Sequence, residues 1–445
     1  MPRGTDAILS AQHAMGHRLV VFTHRPRSEG DFKISVPFQN VVIGDLDIRE
    51  ESSPERTAKL RAAILETGCE LMIHHVFFAR CVVDDLMLFK ELGIPALVQW
   101  HSCFSALTMW KRWEGHVSEQ MESVVRLAGG VITLSRIDKA FFEFMGVPAT
   151  HVPYSDPDMF ESVPVHGNGH RILWTGRMVA GKRPLHAVQI FERVLKQFPD
   201  ATLVMLGDGT HRKSVEQYLA ERPELAAHVT LPGFINDVAP YLREADVFLV
   251  TTSHEGFMHS LMEAKMAALP IVGYRMDYLD TTRPGTGYCA VPQGDVDAAA
   301  AEVCRLLADP AERHRLGAAA RQDFEWFLRL DQKSLYREAF DMVLHPDRHR
   351  LGEQPAYVRD VLHTLLEQMD IHSGRRRAEC EDMEKSLSLR REKIRDLKDE
   401  VQRLKMKQRE LKDAMKRLKG SRAYRIGRLV AWPFRKLKGI VPGGA

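Results

Sequence analysis

The 445-residue chain has few cysteines and no pattern among them. The six (Cys69, Cys81, Cys103, Cys289, Cys304 and Cys380) are scattered, with no Cys-x-x-Cys pair and no metal-ligand spacing. That argues against a disulfide scaffold or a thiolate metal site and reads as free thiols in a reducing compartment. Long apolar runs are also missing. None approaches the ~20 residues that span a bilayer, and Met1 is followed by Pro-Arg-Gly-Thr-Asp where a leader would have an apolar core. The expectation is a cytoplasmic protein. Acidic residues are absent from the last stretch, 421–445. The net charge of +3 hides this asymmetry: from Ile371 onward there are 23 Lys+Arg against 10 Asp+Glu, a net +13, and the remainder is −10. The tail is basic and the body acidic.

The body reads as α/β. Short β-branched runs alternate with amphipathic stretches: Arg18–Phe22, Glu70–Val76, Ala96–Trp100 and Gly130–Leu134, then Arg171–Thr175, Thr202–Gly207, His228–Leu231, Val247–Val250 and Ile271–Tyr274. Strand-then-helix alternation at this spacing implies parallel sheets with right-handed crossovers. The stretch 153–169, rich in Pro, Asp and Gly, breaks the rhythm and divides two doubly wound domains, 1–157 and 158–346. A helical connector follows over 347–379.

Over 380–420 apolar residues recur every seven positions. Leu387, Ile394, Val401 and Met415 share one row with Gln408, and Leu397, Leu404, Leu411 and Leu418 form the other. Such rows predict a parallel two-stranded coiled coil, hence a homodimer, with a single packed helix as the alternative. The last segment, 421–445, interleaves Arg and Lys with Tyr424, Leu429, Trp432 and Phe434. That pattern suits an anionic membrane surface better than a nucleic-acid backbone, so no nucleic-acid partner is expected and a peripheral place on the inner face of the membrane is.

At "HEGFMHSLMEA", Glu255 and Glu263 stand eight residues apart between two apolar runs. Paired carboxylates suggest acid/base work across one bond, which needs them about 5 to 10 Å apart. A wholly helical spacer would separate them by about 12 Å, so they fit the two ends of an elongated ligand better. A helix start between them offers amide groups to an anion.

"SHEGFMHSLMEAKMAALPIV" resembles the E-x7-E segment of the retaining, nucleotide-sugar-dependent glycosyltransferases of family four, whose GT-B fold comprises two Rossmann-like domains. "ILWTGRMVAGKRP", "LVMLGDG" and "LPGFINDVAPYLREADVFL" resemble the blocks that precede it, so the likeness runs from Arg171 to about Arg321. It implies that Arg177 and Lys182 neutralise the donor diphosphate, with Gly176 beside them. Glu263 would bond the ribose, Glu255 the transferred sugar near Gly256 and Phe257, and Ser260–Leu261 would face the phosphate. His101, in "LVQWHSCFS", is similar to a family histidine near the reaction centre. No metal and no cofactor are implied beyond the nucleotide-sugar substrate. The resemblance and the basic tail together imply a glycan or a lipid-linked molecule as acceptor, as in cell-surface polysaccharide biosynthesis. Asp45/Asp47, Asp156/Asp158 and Asp295/Asp297 form D-x-D pairs, but the last pair reads as a helix start.

Four departures stand out. Gly4 matches the family's first glycine loop without a strand before it. "KMAALPIV" lacks the usual glycine, Asp280 stands where Glu is common, and His259 replaces a small or amide residue. Two alternatives stay open: a non-catalytic scaffold that pairs through its coiled coil, and a nucleotide-sugar epimerase or hydrolase on the same fold.

Overall fold

The computed structural model describes residues 2–23, 34–43, 53–76, 81–101, 103, 127–154, 170–348, 357–358 and 361, and in the C-terminal stretch 393, 395, 397–398, 400–417 and 419–422. The strands are β1 Val20–Thr23, β2 Gln39–Val42, β3 Met72–Val76, β4 Ala96–Trp100, β5 Gly130–Thr133, β6 Ala149–His151, β7 Arg171–Thr175, β8 Thr202–Leu206, β9 Val229–Gly233, β10 Val247–Val250, β11 Ile271–Tyr274 and β12 Tyr288–Val291. The helices are α1 Pro2–His13, α2 Pro54–Thr67, α3 Val82–Glu91, α4 Arg136–Phe144, α5 Pro184–Leu195, α6 Arg212–Ala220, α7 Pro223–Ala226, α8 Ala239–Glu244, α9 His259–Met266, α10 Val296–Ala308, α11 Pro310–Leu328 and α12 Gln332–Leu344.

Helix starts follow local chemistry. The side chains of Ser53, Ser135, Asp295 and Asp309 each accept a backbone N–H three residues on, and Pro54 and Pro310 occupy first-turn positions where no N–H is needed. Asp295 is therefore a cap, as its place before α10 suggested.

Every strand pair is parallel. The second domain holds six strands in the order β12-β11-β10-β7-β8-β9. Its inner strands β10 and β11 are buried throughout, as a parallel sheet covered on both faces requires. Among the described residues the first domain is in two pieces, β1-β2 and β3-β4-β5-β6, with β1 and β3 both at edges. Among the described residues no strand precedes α1, and Gly4 lies in the first turns of that helix. The last helix of the second domain, α12, crosses back to the first domain: Tyr336, Ala339 and Met342 pack with Leu97, Ile132 and Ile8. The Tyr336 hydroxyl meets the Gln99 amide within hydrogen-bonding distance inside that core.

Ala268, in "KMAALPIV", has φ +52°, a left-handed conformation that costs a non-glycine residue about 1–2 kcal/mol. The turn is held there because α11 presses on it: a Cβ on Gly317 would lie 2.1 Å from the Ala268 carbonyl oxygen. Replacing Ala268 with Gly is expected to raise the unfolding free energy by about 0.5–1 kcal/mol after the unfolded-state entropy is counted. Urea unfolding of the two proteins measures it; an unchanged or lower midpoint would show that the turn carries no strain.

In the C-terminal stretch, 400–417 forms one continuous helix. Val401, Leu404, Leu411 and Met415 of the heptad rows are 48%, 59%, 60% and 55% exposed. Leu387, Ile394 and Leu418, like 423–445, lie outside the described residues.

Candidate active site

The strand order of the second sheet reverses direction around β7, with β8 on one side and β10 on the other. Ligands of open α/β sheets bind at such switch points, outside the carboxyl ends of the strands. Two loops leave the sheet there. The β7 loop contains Gly176, Arg177 and a 3-10 turn over Ala180–Lys182, and the β10 loop runs from Thr251 to Met258.

These loops are tied to each other. The Ser253 amide donates to the Gly181 carbonyl at 2.8 Å, and the Thr251 hydroxyl to the Lys182 carbonyl at 2.8 Å. The Trp174 indole N–H donates in turn to Thr251 Oγ1 at 2.9 Å. On the other side Gly207, after β8, comes so close that a Cβ would sit 2.0 Å from the Gly176 carbonyl oxygen, at a φ of +128°. Only glycine serves there.

Glu255 is the best-supported side chain of the site. Its Oε1 accepts from Lys182 Nζ in a short ion pair and from the Thr252 hydroxyl at 2.9 Å, while its own N–H donates to the Tyr278 hydroxyl oxygen at 3.0 Å. Both charged groups are largely covered, with side-chain exposures of 22% for Lys182 and 12% for Glu255. Arg177, by contrast, is exposed and makes no ion pair among the described residues. The two cations that the resemblance assigns to the diphosphate therefore stand differently: one is open, the other already holds a carboxylate.

The carboxylate spacing is not wholly helical. Glu255, Gly256, Phe257 and Met258 precede α9, so Glu263 lies in its second turn and is buried, at 8% exposure. Of the two residues assigned to the phosphate, Ser260 is half-buried in the first turn, and the Leu261 amide already donates to the Met258 carbonyl at 3.1 Å.

His101 follows β4 and belongs to a row of rings. Its Nε2 lies 2.8 Å from His75 Nδ1, and its Nδ1 meets the Tyr154 hydroxyl in a short hydrogen bond. Tyr154 lies nearly parallel to His259, 11° between planes and 5.6 Å between centroids, and meets Phe257 edge-on. One tyrosine thus joins His101 of the first domain to two residues of the E-x7-E segment. Burial, then the neighbouring His75, lowers the His101 pKa to about 3; that of the more exposed His75 is shifted in the same direction. Both imidazoles are neutral near pH 7, so each carries one N–H, and the Tyr154 hydroxyl, its pKa raised by burial, completes a neutral chain of hydrogen bonds.

Tyr154, His75, Thr252 and Tyr278 were not predicted as site residues. No local pattern marks them, because each acts through a partner distant in sequence or through a single loop turn. Of the D-x-D pairs, Asp45/Asp47 and Asp156/Asp158 lie outside the described residues. Among the described residues no three His, Cys, Asp or Glu side chains converge as a metal site.

Residues 169–309 match the family model described as glycosyl transferases group 1. The chain is 30% identical over 208 residues to a 2-deoxystreptamine glucosyltransferase of Streptomyces kanamyceticus, covering 43% of this chain and 52% of the relative. It is 30% identical over 204 residues to a 2-deoxystreptamine N-acetyl-D-glucosaminyltransferase of Streptomyces fradiae, covering 44% and 48%. The chain thus spans about half the length of these curated relatives. Sucrose-phosphate synthase from Thermosynechococcus elongatus superposes with a TM-score of 0.61 at 19% identity, over 75% of this chain and 92% of that one, a likeness of fold. Two Rossmann-like sheets and a second domain that matches the family make this chain a GT-B-fold protein related to the glycosyl transferases group 1.

Proposed function

We propose that the chain is a retaining glycosyltransferase that moves a sugar from a nucleotide-sugar donor to a glycan or lipid-linked acceptor, in cell-surface polysaccharide biosynthesis. The observation that carries this reading is the Lys182–Glu255 pair at the switch point, beside the open guanidinium of Arg177. A donor has a diphosphate for the two cations and a sugar for the carboxylate, so it can replace the internal pair with matched partners at both ends. Glu263 takes the ribose, and Gly176, Gly256, Phe257, Ser260 and Leu261 line the same path.

As the sugar–phosphate bond breaks, negative charge grows on the leaving diphosphate. Arg177 and Lys182 stabilise that charge, which is the main catalytic contribution of the site. The leaving phosphate oxygen takes the acceptor's proton on the face from which it departs, so the anomeric configuration is kept. His101 stands near the transferred sugar as a neutral hydrogen-bonding group. The exposed seam of the C-terminal helix pairs with another helix, and the basic segment 421–445 holds the enzyme on the anionic inner face of a membrane.

The test is nucleotide release from a panel of UDP-, GDP-, ADP- and dTDP-sugars, with and without a membrane extract as the source of acceptor. Release with one donor series that depends on the extract is expected. Free sugar or converted donor without any acceptor would favour the hydrolase or epimerase, and no release from folded protein would favour the scaffold.

A further inference from the structure

The C-terminal helix leaves its apolar seam open, with Val401, Leu404, Leu411 and Met415 about half exposed or more. An amphipathic helix of this length is marginal alone in water and is stabilised by covering its apolar face. The identity of the cover is written in the residues beside the seam.

The row next to the leucines is lysine at every heptad: Lys398, Lys405, Lys412 and Lys419. The opposite flank carries Lys393, Glu400, Lys407 and Ala414. In a parallel pair each residue of that flank faces the lysine-row position five residues further along the partner. A second copy would therefore set Lys393 against Lys398 and Lys407 against Lys412, with only Glu400 against Lys405 in its favour. An antiparallel pair is worse, because the lysine row then faces itself. The apolar rows alone suggest a homodimer, and the flanking charges oppose it.

We propose that this seam pairs with an acidic heptad helix of a different protein. Such a helix, with Asp or Glu on both flanks, satisfies the whole lysine row and is itself kept from self-pairing by like charge. A lipid surface fits less well. The apolar face is only two rows wide with Gln408 within it, and 385–423 contains no Phe, Trp or Tyr, whereas helices that lie in a membrane interface present a broad, aromatic-rich face.

The full chain tests this by sedimentation equilibrium and by titration with a labelled probe. The probe is a synthetic peptide of about four heptads with the same seam residues and Glu on both flanks. Self-association of the wild type is expected to be weak at about 0.05 M salt and to tighten several-fold at about 0.5 M, as like charges are screened. The probe should bind at low salt and lose roughly tenfold in affinity at high salt. The double substitution Lys398→Glu/Lys412→Glu turns all three charged flank pairs of a parallel homodimer attractive. It should therefore self-associate at least about tenfold more tightly than wild type and release the probe. A wild-type dimer that is tight at low salt and indifferent to salt would overturn the proposal in favour of a second copy. Binding to anionic vesicles that is abolished by Leu404→Asp/Leu411→Asp would overturn it in favour of a membrane. Neither readout depends on transferase activity, so the two readings fail separately.

Discussion

Glu255→Gln is expected to lower kcat/KM for the sugar donor by roughly 10²- to 10³-fold while leaving nucleoside diphosphate binding intact or several-fold tighter. The two effects have one cause. Without ligand, Lys182 Nζ is held by Glu255, so any diphosphate must first compete with that carboxylate. Glutamine keeps the shape and the contact with the Thr252 hydroxyl but removes the charge, which frees Lys182 for phosphate and withdraws the group proposed to meet the sugar. Lys182→Ala should behave differently, losing both turnover and diphosphate affinity, and it leaves a largely covered carboxylate without its cation. Donor kinetics and calorimetry with the free diphosphate separate the cases. Equal loss of diphosphate affinity in both variants would mean that the pair only holds the two loops together.

Acidification should destabilise the first domain steeply. His101 is held neutral by burial, with a pKa of about 3, and burial lowers His151 to about 4 despite Asp280 3.6 Å away. The unfolded chain binds these protons near pH 6.5 and the folded chain does not. Stability is therefore full above about pH 6.5 and is lost as pH falls from there toward the folded values. Between about pH 7.5 and 5.5 each of these two histidines costs about 1 kcal/mol, and the pair about 2–3 kcal/mol; His75, which is exposed, adds little. Urea unfolding across that range measures the slope. His151→Gln can keep a hydrogen bond to the Leu134 carbonyl but removes one titrating group, so its slope should be about half as steep. Parallel slopes for the two proteins would show that His151 takes up its proton in the folded state.

The sheets were legible where burial is two-sided. β7, β10 and β11 are apolar β-branched runs, and their bounds were read directly from the sequence. The strands missed lie at sheet edges. β2 is Gln-Asn-Val-Val and largely exposed, β6 has three residues, and β12, Tyr-Cys-Ala-Val, is a run of four without Ile or Leu whose middle is partly open, so none gives a strong strand signal. At the site, the resemblance named Arg177, Lys182, Glu255 and Glu263, but their arrangement was not visible. Lys182 reaches Glu255 across 73 residues and His101 reaches Tyr154 across 53, pairings set by sheet order rather than by spacing. The heptad rows were read as one strand of a coiled coil; 400–417 is a continuous helix with those rows exposed, and a partner helix is not part of the chain's own fold.

The central claim is that the switch point of the second domain binds a nucleotide-sugar through Arg177 and Lys182. Calorimetric titration of wild type and Arg177→Ala with UDP-, GDP-, ADP- and dTDP-sugars tests it most directly. Binding of one nucleotide series, weakened at least about tenfold in the variant, is the predicted result. No binding of any series by folded wild-type protein, or equal binding by the variant, would contradict it.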